Sequence, residues 1–229
     1  ALSGSGGTDT FIATVDDLRD VYNGGAGVDT IDYGAYAAGL TIDLAVATAV
    51  VTGSGTFAAT SDTMTAIENI VGSLGNDLFF GSNGGNQLSG NDGSDTISGN
   101  GGNDVLFGNA GQDVLIGGAG ADQLTGNEGD DVFVFVTLAQ SSVANSDTIL
   151  DFEGGGVVGG DLIDVSSLAG LPFTFIGTAD FTTGSFNQIR FANDGTDTFV
   201  FIDTDNDTGA EARIRIAGLV NFEASDFVL

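Results

Sequence analysis

A carboxylate, or its amide, returns at every ninth place through the middle of this chain: Asp77, Asn86, Asp95, Asp104, Asp113, Asp122 and Asp131. The blocks that carry them run unbroken from Gly72 to Val134 as GSLGNDLFF, GSNGGNQLS, GNDGSDTIS, GNGGNDVLF, GNAGQDVLI, GGAGADQLT and GNEGDDVFV. Carboxylates brought together by such a repeat would repel, and the chain offers little to neutralise them. It has no Lys and no His, and its four Arg stand against 32 Asp and Glu, for a net charge of −28. One chemistry fits. With no Cys or His, every available ligand is an oxygen, which selects a hard cation. Carbonyl-rich flexible turns suit Ca²⁺ better than Mg²⁺, which retains its waters in a strict octahedron. Neither zinc-protease nor nucleophilic catalysis finds support, since HExxH and a nucleophile elbow are both missing. Carboxylate pairs can serve glycoside hydrolysis, but ligation already accounts for them, and the chain is read as non-enzymatic.

The elements that must hold these carboxylates follow from the same blocks. Position eight is always apolar: Phe79, Leu88, Ile97, Leu106, Leu115, Leu124 and Phe133. Positions seven to nine read as a three-residue strand with position eight facing inward and its neighbours outward. The other six residues make a turn, with Gly at positions one and four. Self-similarity of this kind marks a solenoid. Two blocks then form one coil, coils stack at about 4.8 Å, and position-six residues two blocks apart line up along one edge. A single such Asp–Gly turn would be unremarkable; seven in phase are not. One buried aliphatic side chain per block is little against the entropy of ordering nine residues, so the array is expected to need its cation to fold.

The phase extends upstream, with Glu68 on position six and Ile70 on position eight. Two separate copies, GSGGTDTFI (4–12) and GGAGVDTID (24–32), add Asp9 and Asp29 as candidate ligands.

These blocks resemble the repeats-in-toxin (RTX) nonapeptide, GGxGxDxUx, a calcium-binding β-helix repeat, residue by residue over 72–134. The resemblance implies an all-β parallel β-roll with Ca²⁺ held between the turns of blocks i and i+2. The ligands it implies are the position-six side chains and backbone carbonyls of positions one to four. One edge would use Asp77, Asp95, Asp113 and Asp131, and the other Asn86, Asp104 and Asp122. Seven blocks make five such pairs, hence about five ions. The carbonyls would come from Gly75 and Gly84 in the first two blocks, Gly90, Asn91, Asp92 and Gly93 in the third, and Gly99, Asn100, Gly101 and Gly102 in the fourth. Gly108, Asn109, Ala110 and Gly111 would follow in the fifth, Gly117 and Ala119 in the sixth, and Gly126 and Glu128 in the seventh. Asn86 lacks the charge, so its site with Asp104 is expected to be weaker.

The flanks read differently. Residues 1–71 look like irregular coils of the same solenoid, with Asp-Thr-apolar triplets at 9–11, 29–31 and 62–64, an alternating strand LTIDLAV (40–46), and an excursion DDLRD (16–20). Residues 135–229 lose the period and hold most of the 17 Phe. Runs DTILDF (147–152), DLIDV (161–165), NQIRFA (187–192), DTFVFID (197–203) and ARIRIAG (212–218) predict an antiparallel β cap on the open end of the roll. Residues 146–168 resemble the serralysin-type C-terminal domain, which implies calcium ligation by Asp151 and Asp161; GGGVVGG widens the usual linker between them. DTDNDTG (203–209) has the first ligands of an EF-hand loop, but its twelfth position is Ile214 and its Gly falls one place late. It reads as a hairpin turn with a weak cation site.

Charge and hydropathy exclude other partners. A chain this acidic suits neither phosphate backbones nor anionic lipid, and no apolar run is long enough to span a bilayer. The chain does not open on Met, so a processed or excised piece is expected. The RTX resemblance implies a calcium-dependent folding and secretion module of a bacterial protein, exported by type I machinery and extracellular or on the cell surface. The terminal ASDFVL resembles the signal of such proteins. Two alternatives stand beside it. One is a surface-layer, adhesin or filament subunit, self-associating through outward-facing Val105, Phe107, Val114 and Ile116. The other is the accessory domain of a secreted protease, lipase or polysaccharide-modifying enzyme.

Overall fold

A computed structural model describes residues 1–13, 20–46, 49–50, 52–53, 62–154, 159–168, 172–205 and 207–229. Strands and turns make up this part; no α-helix occurs among the described residues, where a 3₁₀ turn at Ala224–Asp226 is the single helical piece. The excursion expected at 16–20 lies, apart from Asp20, outside them, as do residues 155–158 of the GGGVVGG stretch.

The period of nine becomes two facing parallel sheets. Odd-numbered blocks give Leu78–Phe80, Thr96–Ser98, Val114–Ile116 and Val132–Val134, neighbours in an eight-stranded sheet. Even-numbered blocks give Gln87–Asp92, Val105–Ala110 and Gln123–Glu128, neighbours in an eleven-stranded sheet. Register is set by position eight. Phe79, Ile97, Leu115 and Phe133 stack in one column and Leu88, Leu106 and Leu124 in the other, and all seven have no exposed surface. A one-residue slip would turn every one of them outward.

Both columns continue beyond the repeats. Upstream, Phe11, Ile31 and Ile70 lead into Leu88, and Ile42 leads into Phe79. Downstream, Ile149 follows Leu124, and Ile163 follows Phe133. The strand expected at 40–46 is Leu40–Asp43.

The antiparallel cap is found in part. Gln188–Asn193, Thr198–Asp203 and Ala212–Ile216 form an antiparallel meander, but its junctions with the roll are parallel. Thr148–Ile149 pairs with Arg215–Ile216, and Leu162–Asp164 pairs with Phe227–Val228. The reason is that 148–149 and 162–164 are one more irregular coil, keeping the solenoid's direction before the chain reverses. Rings fill the space behind them: Phe152 lies 6.2 Å from Phe133 and 5.1 Å from Phe222, and Phe222 lies 5.3 Å from Phe227. Val105, Phe107, Val114 and Ile116, expected to be exposed, are half-buried, because coils stacked at about 4.8 Å shield one another's outward side chains.

Candidate metal centre

The turns that join the two sheets stack their position-six carboxylates into two ladders. Each rung has the same hydrogen bond: a position-six backbone N–H donates to the Oδ1 of the residue one coil further on. Along one edge Asp77 donates to Asp95 (2.7 Å), Asp95 to Asp113 (2.7 Å), Asp113 to Asp131 (2.8 Å) and Asp131 to Asp161 (3.0 Å). Along the other, Asp9 donates to Asp29 (2.8 Å), Asp29 to Oε2 of Glu68 (2.8 Å), Asn86 to Asp104 (2.7 Å), Asp104 to Asp122 (2.8 Å) and Asp122 to Asp147 (3.0 Å).

In most rungs only one oxygen of the carboxylate is used. Oδ2 of Asp9, Asp29, Asp95, Asp104, Asp113, Asp122, Asp131 and Asp147 is buried with no hydrogen-bond partner. A buried ionised oxygen without a partner is costly, and eight of them in two rows point to a missing positive charge. The surroundings add acceptors and no donors. A methyl group on Gly99 would run into both Oδ2 of Asp104 and the Gly117 carbonyl oxygen, and one on Gly108 into Oδ2 of Asp113 and the Gly126 carbonyl oxygen. Position one is therefore Gly because a carboxylate oxygen and a carbonyl from the next coil converge there. Position two is left-handed in the later blocks, with φ of 78° at Asn91, 68° at Asn100, 81° at Asn109, 102° at Gly118 and 68° at Asn127. Asn tolerates this region better than other side chains.

The first two blocks differ. Oδ2 of Asp77 accepts the Ser73 N–H (2.7 Å), while its Oδ1 accepts the Ser73 hydroxyl (2.7 Å) and the Leu40 N–H (2.7 Å). Asn86 Oδ1 accepts the N–H (2.7 Å) and hydroxyl (3.2 Å) of Ser82, and its Nδ2 donates to the Glu68 carbonyl at 2.6 Å. The Asn86 amide thus brings a neutral donor to the place where other rungs have a second carboxylate oxygen. Asn86→Asp would set an acceptor against that carbonyl. It should add one ion at saturating calcium; an unchanged ion count by native mass spectrometry would contradict this.

Beyond the array, the sequence candidates divide. Asp9, Asp29 and Glu68 lie in the second ladder. Asp161 takes the next rung of the first, but its Oδ2 accepts the Glu153 N–H (2.8 Å). Asp151 stands off the ladders, with its two oxygens accepting the N–H groups of Gly126 (3.0 Å) and Asn127 (2.7 Å). Asp147 was missed; its signal was another Asp-Thr-apolar triplet, 147–149. Asp62 heads another such triplet, and its Oδ1 accepts the Asp20 N–H (2.9 Å).

Burial, the largest cause in each case, pushes these carboxyls up: Asp95 and Asp104 to about 7, Asp131 and Asp161 to about 6, and Asp147 to about 8. Backbone hydrogen bonds oppose the shift and neighbouring carboxylates add to it, as Asp77, Asp113 and Asp92 do at Asp95. The sign follows from linkage. Between the ordinary 3.8 and these raised values the folded chain binds more protons than the unfolded one, so ion-free stability falls as pH rises through that window. In calcium-depleted buffer the β signal of the roll should therefore be weakest near pH 8 and rise as pH falls to about 5, while apparent calcium affinity weakens as protons compete. An ion-free β signal that is flat or falls over that range would contradict the ladder's electrostatics.

The family described as RTX calcium-binding nonapeptide repeat (4 copies) matches this chain at residues 64–97, 80–115 and 98–133. The chain thus belongs to the proteins that carry the RTX calcium-binding repeat, and the ladder residues from Glu68 to Asp131 lie in the matched repeats. Among solved structures it is similar to the AlgE6R2 subunit of the Azotobacter vinelandii mannuronan C5-epimerase, with 32% identity over 65% of this chain and 90% of that one, at a TM-score of 0.46. The AlgE6R3 subunit of the same epimerase is 28% identical over 67% of this chain and 78% of that one, at a TM-score of 0.32. No curated protein matches the chain. The family match ends at residue 133, so the serralysin-type resemblance of the C-terminal segment rests on sequence motifs alone.

Proposed function

We propose that this chain is a non-catalytic module whose folding is driven by extracellular calcium. The observation that carries the reading is the row of buried, unpartnered Oδ2 atoms. Ions would be held where both carboxylates of a rung keep a free oxygen: Asp9 with Asp29, Asp95 with Asp113, Asp113 with Asp131, Asp104 with Asp122, and Asp122 with Asp147. Carbonyls of the glycine-rich turns, such as those of Gly117 and Gly126, would complete the shell. When bound, calcium supplies charge neutralisation and cross-links successive coils. The chain's part is to present oxygens in a fixed array, with the position-eight columns setting the register.

The proposal divides the chain into an entry segment (1–71), the repeat roll (72–134) and a C-terminal cap (135–229). Metal binding to such a site is folding free energy. At cytosolic calcium the array would be unfolded, which suits passage through a narrow type I exporter; outside the cell it would fold and could not slip back. Calcium should outperform magnesium in this role, since crowded carbonyl and carboxylate oxygens leave no room for the waters Mg²⁺ keeps. Thermal melts at equal concentrations of the two ions test this. A Mg²⁺ melt as high as the Ca²⁺ melt would exclude the coordination proposed.

A further inference from the structure

A third set of carboxylates lies away from both ladders, in the cap. The hairpin between Thr198–Asp203 and Ala212–Ile216 has Ile202 opposite Ala212 as its last pair. Asp203 and Glu211 therefore stand at the two mouths of the connecting loop. One oxygen from each of Asp203, Asp205 and Glu211 lies within 4.8 Å of the other two. Ligands on opposite sides of one Ca²⁺, at about 2.3–2.6 Å each, stand about 4.6–5.2 Å apart, so a single ion can reach all three.

Proximity of acidic groups is common on surfaces, but Asp203 is not on the surface. It has no exposed area. Its Oδ1 accepts the Asp205 N–H at 3.0 Å, while its Oδ2 is buried without any partner, the condition of the ladder carboxylates. The other two are held in place by their own hydrogen bonds. Oδ1 of Asp205 accepts the Asp207 N–H (2.8 Å), and Oε2 of Glu211 accepts the Thr204 N–H (2.6 Å). No arginine neutralises the group: the ion pairs among the described residues are Arg190 with Asp180 and Arg215 with Asp197.

We propose that Asp203, Asp205 and Glu211 form a divalent-cation site, calcium by preference, that ties the two strands of the cap hairpin together independently of the repeats. The loop opens like an EF-hand, but its closing acid is Glu211, the ninth residue, instead of a twelfth-position Glu.

Calcium chloride added to the full chain tests this, with Asp203→Asn and Glu211→Gln compared against the unaltered protein. Both replacements keep shape and an acceptor oxygen. Native mass spectrometry at saturating calcium should show one ion fewer in each variant. In backbone amide NMR, the Asp205 and Gly209 signals should move on titration in the unaltered chain and stay still in the variants, while ladder amides such as that of Asp113 respond in all three. Asp203→Asn should also leave ion-free stability unchanged or raised, since it removes a buried charge. Equal ion counts in all three proteins, or loop amides that do not respond in the unaltered chain, would overturn the site. Ladder amides that respond as usual would then leave the repeat reading standing.

Discussion

Asp113→Asn should lower the calcium content of the folded chain by about two ions, and Asp77→Asn by none. The two residues share block position, edge and the neighbour Asp95, and differ in what their second oxygen does. Asp113 stands between Asp95 and Asp131 on the same edge. All three keep a buried, unpartnered Oδ2, so the Asp113 carboxylate serves the sites on both sides of it. Asp77 has both oxygens satisfied by Ser73 and Leu40 and has no oxygen to offer. A site filled at a hundred times its dissociation constant contributes about 2.7 kcal/mol to stability. Loss of two is about 5 kcal/mol, as large as the whole stability of many small domains. Asp113→Asn should therefore shift the calcium midpoint of folding strongly upward, while Asp77→Asn leaves it nearly unchanged. Calorimetry and native mass spectrometry compare them directly, and equal losses would show that a Ser-closed turn binds calcium after all.

Much of this was legible in the sequence because the repeat writes the same instruction many times. An apolar residue at position eight of every block announces the two columns, and Asp at position six of all blocks but one announces the ladders. What stayed hidden is where the period breaks or where one side chain changes its partner. Asp147 continues the second ladder, but the irregular stretch after Val134 puts it out of phase with Asp131, and only its Asp-Thr-Ile triplet betrays it. Ser73 and Ser82 read as ordinary turn residues; that their hydroxyls and N–H groups occupy the oxygens of Asp77 and Asn86 is a property of turn conformation. Strand direction in the cap was equally out of reach, since alternation of apolar residues does not say which way a neighbour runs. The half-burial of Phe107 and Ile116 comes from stacking between coils, which a single block does not contain.

Removal of calcium should abolish the roll. The position-eight columns bury one side chain per block, and the buried oxygens beside them have no positive partner among the described residues. With the ions gone, neighbouring carboxylates in a site of low effective dielectric repel one another, and burial alone already disfavours their charged form. Acid can relieve part of this by protonation, but as pH rises through the raised range of the ladder carboxyls they become charged and the ladders come apart. The cap, with its ring cluster of Phe152, Phe191, Phe222 and Phe227, adds an aromatic end to the core it shares with the roll and should retain more structure. The measurement is far-ultraviolet circular dichroism of the full chain at neutral pH, first in chelator and then with millimolar Ca²⁺. Calcium-driven folding predicts a largely disordered spectrum that converts to β structure on addition of calcium, cooperatively and reversibly. An equal β signal in both conditions would show that the carboxylate ladders stand without their cation.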